Sequence, residues 1–174
     1  MNKGKGTAKV LFVVTSCNVK GETGIPTGFN LSEVTHPLEK LEEKGVVVDI
    51  SSIKGGHAPL DGLEDFNDPA NAKYWADTDF RNALENTLKL DEVNAADYDG
   101  IFFAGGHGTM WDFADSPAVL EIVPEFYESG KIVSAVCHGP AALVNVKLTD
   151  GSYLIAGKSV AAFTNGEEEE VQST

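Results

Sequence analysis

The 174-residue chain predicts an α/β fold in which a mostly parallel sheet is covered by helices on both sides. Strand-like and helix-like segments alternate, and most of the strand-like runs are apolar on both faces, as in a sheet buried from two directions. Glycine turns follow several of these runs, at the carboxyl edge where such sheets bind ligands. A chain of 174 residues suits one domain spanning 1–174, with enough interior for a real core.

Residues 8–14 form a short apolar, β-branched run that reads as a buried strand. The glycine-bearing stretch 15–29 is a loop. Residues 30–44 read as a helix closed by Gly45, with Leu31, Val34, Leu38 and Leu41 recurring at three and four residues. Pro37 lies inside that pattern and is expected to kink or restart the helix. A second strand follows at 46–51, then a long polar insertion at 53–79 that is either functional or holds small elements of its own. Residues 80–94 look helical, 99–104 form a third strand, and Ser116-Pro117 starts a helix that Gly130 stops. A fourth strand at 132–136 leads into a helix at 141–146, and 159–163 reads as a further strand.

The formal net charge of −14 sets the chain against phosphate backbones and anionic membranes, so neither nucleic acid nor a membrane surface is expected as a partner. No apolar run approaches the length of a membrane span, and the short run after the basic N-terminus does not resemble a secretory leader. With only two cysteines, Cys17 and Cys137, no disulfide framework is expected, and the chain reads as cytoplasmic. The acidic clusters at 39–43, 64–68 and 167–170 read as solvated faces, and a zinc site lacks ligands at short spacing.

The most informative stretch is Ser134-Ala135-Val136-Cys137-His138-Gly139-Pro140, where a strand hands over to a helix-like segment. A cysteine there is either a small buried residue or a nucleophile, its thiolate favoured by the N–H groups that begin the next helix. His138 follows directly, so its side chain is expected to point away from Cys137 and its N–H into the site. The turn Gly105-Gly106-His107-Gly108 lacks the spacing and lysine of a phosphate loop. It is either a tight turn or, beside Cys137, the source of a Gly106 N–H that joins the His138 N–H in an oxyanion hole, with His107 and Trp111 at the pocket mouth. Asn30-Leu31-Ser32-Glu33 fits a helix capping box. Alternatively, Glu33 is a buried carboxyl near Cys137, able to hold and move a proton.

Three motifs together resemble the ThiJ/PfpI superfamily, whose fold is like that of the class I glutamine amidotransferases: Ala135-Val136-Cys137-His138-Gly139-Pro140, Gly105-Gly106-His107-Gly108, and Thr27-Gly28 followed by Glu33 and His36-Pro37. Gly56-His57-Ala58-Pro59-Leu60-Asp61 and Phe163-Thr164-Asn165 resemble its branch of heat-shock chaperones and glutathione-independent glyoxalases, called glyoxalase III. The resemblance implies a flavodoxin-like three-layer sandwich with Cys137 as nucleophile, His138 as its partner and Glu33 as the buried carboxyl. It also implies an acidic residue that orients His138, chosen by position as Glu168, with Glu167 and Glu169 as its neighbours. Members of the superfamily continue for another helix, strand and helix, so the domain is expected to be C-terminally short. The implied activity is cofactor-free conversion of methylglyoxal, or a similar 2-oxoaldehyde, to D-lactate, a lyase reaction without metal or nucleotide. The alternatives are a stress-response holdase for unfolded clients and a cysteine-dependent amidase or peptidase, and the resemblance implies a homodimer.

Overall fold

The computed structural model describes residues 7–62 and 64–170, the last of these by its backbone alone. Five strands form a parallel sheet in the order β3-β2-β1-β4-β5: β1 (Lys9–Val14), β2 (Val47–Ser52), β3 (Leu88–Lys89), β4 (Gly100–Phe103) and β5 (Ile132–Ala135). The helices are α1 (Leu31–Glu42), α2 (Pro69–Ala76), α3 (Thr78–Glu85), α4 (Thr109–Asp112), α5 (Pro117–Glu128) and α6 (Asn165–Glu170). The sequence reading of an α/β sandwich around a parallel sheet therefore holds. β1 lies at the centre, with Val10 paired to Val48 on one side and to Gly100 on the other. Parallel neighbours cannot be joined by tight hairpins, and α1 and α5 supply the crossovers after β1 and β4.

The period of two along β1 divides the core. Leu11 and Val13 pack on one face with Ile101, Phe103 and the α5 side chains Val119, Val123 and Phe126. Phe12 and Val14 face the opposite way, onto Leu31, Val34 and Leu38 of α1. Full burial of such side chains stabilises the fold by about 1.5–3 kcal/mol each. Phe103 and Phe113 meet edge to face at 5.5 Å, tying β4 to the turn that follows it.

Several sequence expectations need correction. The helix expected over 80–94 spans Thr78–Glu85 only. Thr87 is buried there, its hydroxyl 2.7 Å from that of Ser52 and bonded to the Gly56 carbonyl, and these contacts turn the chain into β3. Leu88, beyond the end of that helix, is exposed. The segment after Cys137 is a 3-10 helix over Gly139–Leu143, not an α-helix at 141–146. Residues 159–163 join no strand; the chain crosses instead to lay Phe163 against His138 at 4.4 Å. α1 passes through Pro37 without restarting. The long insertion contains α2, whose N-cap Asp68 accepts from the N–H groups of Ala70 and Asn71 ahead of Pro69 at the first position.

Beside β5 the α1 face of the sheet is open. An apolar cleft of about 420 Å³ lies between Pro37 and Leu41 of α1 and Phe102 and Ile132 of the sheet, with Ile132 69% exposed. Among the described residues no helix is long and apolar enough to cross a membrane.

Gly139 shows how tightly the turn after β5 sits on the sheet. A Cβ built on it would stand 2.3 Å from the Phe103 carbonyl oxygen. Gly139→Ala is therefore expected to destabilise the fold by about 1–3 kcal/mol, the usual cost of overpacking, as read by denaturant unfolding. An unchanged midpoint would show that the turn has room to move.

Candidate active site

The carboxyl ends of β1, β4 and β5 deliver three loops to one place. β5 ends at Ala135, and two residues later Cys137 adopts φ 55°, the positive-φ conformation found at no other non-glycine among the described residues. Such a backbone costs of order 1–3 kcal/mol and is kept where surrounding contacts hold it. It also explains a correction. In an extended strand successive side chains diverge, but the left-handed Cys137 reverses the chain, so His138 Nδ1 lies 3.2 Å from Cys137 Sγ. The two side chains face each other rather than apart.

His138 is buried, and its Nε2 lies 2.5 Å from Glu168 Oε1. Glu168 thus reaches the imidazole from α6. Glu167 instead accepts from the Thr164 N–H and hydroxyl, and Glu169 is exposed. Glu168 Oε2 also lies 3.2 Å from His107 Nε2, and the two imidazole rings are 4.3 Å apart. Burial works against ionisation of Glu168, but its hydrogen bond to His138, helped by the one to His107, outweighs that and holds the carboxyl below its ordinary range. Burial pushes the His107 imidazole down, as do the charges of His138 and Lys20, and these outweigh the opposing pull of Glu168, so the neutral ring is favoured.

Glu33 enters from α1. Its place in the capping-box pattern is not used as a cap, because Asn30 makes no side-chain cap bond. Glu33 Oε2 instead accepts from the Gly105 N–H at 2.6 Å and bonds to the Cys137 side chain. Gly105 leaves the space for this: a Cβ there would lie 2.7 Å from Glu33 Oε2 and 2.8 Å from His138 N. Burial raises the Glu33 carboxyl above its ordinary range despite the Gly105 N–H, the Cys137 side chain and the His138 charge, which oppose the rise.

The thiol does not follow the sequence expectation of a sulfur kept as thiolate by a helix terminus. Burial, and then the Glu33 carboxylate, push the Cys137 thiol up to about 12 while the N–H groups of His138 and Gly106 pull the other way. The pair is best described by one proton held between sulfur and carboxyl. When Glu33 carries it, the repulsion on sulfur vanishes and the two N–H donors remain. The chain after Cys137 forms only a short 3-10 helix, too brief to supply a strong dipole.

A cleft of about 300 Å³ opens onto Cys137, His138 and Glu168, walled by Met110, Val144 and Phe163. Trp111, expected at its mouth, is absent from that wall: it is half exposed, and its indole nitrogen would lie 3.1 Å from a Cβ on Gly21. Met110, one residue earlier, takes the wall position instead. Phe163 is the residue that sequence reasoning missed, stacked on His138 with ring planes 28° apart. Its signal lay in the Phe163-Thr164-Asn165 motif, where periodicity read a strand.

A thiol on a sharp turn beyond a parallel sheet, facing an imidazole–carboxylate pair and a buried glutamate, defines a cysteine-centred α/β protein. The profile of the DJ-1/PfpI family matches residues 24–171, and the chain belongs to that family. Glyoxalase 3 of Candida albicans is 33% identical over 163 residues, covering 90% of this chain and 69% of that protein. The glutathione-independent glyoxalase HSP31 of Saccharomyces cerevisiae is 36% identical over 166 residues, with the same shares of 90% and 69%. Among solved structures, Rapid Encystment Protein 24 KDa of Francisella tularensis superposes with a TM-score of 0.90 at 41% identity, covering 95% of this chain and 74% of that one. The crystal structure of glyoxalase III from Candida albicans gives a TM-score of 0.86 at 31% identity, covering 96% and 72%.

The raised Glu33 carboxyl has a measurable consequence for stability. A carboxyl whose folded pKa exceeds its ordinary 4.5 contributes stability below that value and loses it as the pH rises through the folded pKa. Gln at this position keeps an oxygen for the Gly105 N–H and cannot ionise. Glu33→Gln is therefore expected to raise the thermal unfolding midpoint at about pH 8 and to leave it unchanged below about pH 4, as followed by circular dichroism. A less stable variant at the higher pH would contradict the burial argument.

Proposed function

We propose that this protein is a glutathione-independent glyoxalase that converts methylglyoxal, or a related 2-oxoaldehyde, to a 2-hydroxy acid in the cytoplasm. The observation that carries the reading is Glu33 bonded both to Cys137 and to the Gly105 N–H. Acyl transfer by an amidase needs a thiol, an imidazole and oxyanion donors. A second, proton-holding carboxyl beside the sulfur is what an isomerisation between neighbouring carbons requires. The names of the fungal relatives point the same way.

The reaction begins as Cys137 Sγ adds to the aldehyde carbon while the thiol proton passes to His138 Nδ1. The resulting hemithioacetal oxygen receives the N–H groups of Gly106 and His138, the same donors that favour negative charge on sulfur. Glu33 as carboxylate then takes the proton from C1 and returns it to C2 through an enediol, while His138 gives the former thiol proton to the C2 oxygen, leaving a thioester on Cys137, a hydroxyl at C2 and a neutral His138. Water cleaves the thioester with His138, oriented by Glu168, as the base, and the acid and the thiol are released. Atoms balance as one 2-oxoaldehyde and one water giving one 2-hydroxy acid. His107 and Phe163 both pack against the His138 ring and take no proton in this scheme.

The purified chain is expected to form lactate from methylglyoxal without glutathione, as measured by coupled lactate detection. Cys137→Ala should abolish turnover, and Glu33→Gln should lower kcat by about 10²–10⁴-fold, the range for loss of a general acid–base group. A Cys137→Ala variant as active as the parent would remove the mechanism.

A further inference from the structure

Glu168 bridges two imidazoles, one carboxylate oxygen to each Nε2 at 2.5 and 3.2 Å. The three ligand atoms lie within 4.8 Å of one another. Two histidines and one carboxylate are the protein ligands of a familiar class of zinc site that keeps a fourth position open. Tetrahedral bonds of about 2.1 Å put ligand atoms about 3.4 Å apart, inside the range seen here. The rings are fixed in place without an ion. His138 Nδ1 is held by Cys137 Sγ at 3.2 Å, and Phe163 stacks on His138 at 4.4 Å and meets His107 edge-on at 6.4 Å. A ligand ring whose other nitrogen is already engaged is the usual supporting arrangement around a metal. The adjoining cleft gives a path for entry and room for a water in the open position.

We propose that His107, His138 and Glu168 form a zinc site that silences the enzyme while the ion is bound. Zinc takes Nε2 of both rings, which leaves Nδ1 as the one ring position for a proton. On His138 that nitrogen then no longer accepts the thiol proton. Glu168, spent on the metal, no longer orients His138 for thioester hydrolysis. Binding itself does not depend on the glyoxalase reading; only its inhibitory effect rests on that reading.

The site was hidden from sequence spacing. His107, His138 and Glu168 are separated by roughly 30 residues at each step, and the fold alone brings them together. Titration of the full chain with zinc chloride in a calorimeter should show one ion per chain. His107→Gln and Glu168→Gln should each weaken binding on the order of 100-fold, while Cys137→Ser keeps it. Circular dichroism of each variant separates lost binding from lost folding. Cobalt in place of zinc should show visible ligand-field bands without the near-ultraviolet thiolate band. Absence of binding, or binding lost in Cys137→Ser and kept in folded His107→Gln, would overturn the site. Methylglyoxal turnover should fall with one equivalent of zinc and return with a chelator. No turnover in metal-free protein would refute the proposed activity while leaving the calorimetric result to decide the site.

Discussion

The left-handed backbone of Cys137 is the constraint on which the rest of the site depends. A φ of 55° at a residue with a side chain is unfavourable, and the neighbouring contacts hold it in place. Gly139 lets the next turn lie against β4, the Gly139 N–H donates to the Val136 carbonyl at 2.7 Å, and Gly105 leaves room for the cysteine and the glutamate together. From that one conformation follow the approach of His138 to the sulfur, the pointing of two N–H groups at it, and the place of Glu33 beside it. Fold and chemistry meet in the backbone here, before any side chain acts.

Electrostatics then divides the work among the acidic groups. Glu33 and Glu168 are both glutamates beside Cys137 or His138, yet their carboxyls are moved in opposite directions. Burial dominates at Glu33 and favours its protonated form, whereas hydrogen bonding to two imidazoles prevails at Glu168 and keeps it ionised. One carboxyl is thus suited to carry a proton and the other to hold a ring in place. Pairs of titratable groups pushed apart by their surroundings are a common basis for acid and base roles at neutral pH.

Much of the sheet was legible in the sequence because buried parallel strands are nearly continuous apolar runs. β1, β2, β4 and β5 stand close to where the runs at 8–14, 46–51, 99–104 and 132–136 place them. β3 was not legible, since two residues carry no period and Leu84 and Leu88 imitate a helix face. The segment 159–163 failed for a related reason: its Phe163 serves a contact with His138 instead of a strand partner. Cys137, Glu33 and the glycine turn were visible as motifs. The closeness of His138 to the sulfur was not, because it hangs on a backbone angle that strand periodicity does not encode, and the raised thiol was not, because burial is a property of the fold.

In the proposed reaction Glu33 carries the proton between the two carbons of the substrate while Cys137 holds it. Proton NMR of lactate made from methylglyoxal in D2O tests this most directly. A carboxyl that exchanges with solvent between taking and returning the proton predicts deuterium at C2 and a collapsed methyl doublet. Lactate with protium retained fully at C2 would contradict a solvent-exchanging Glu33 as the carrier.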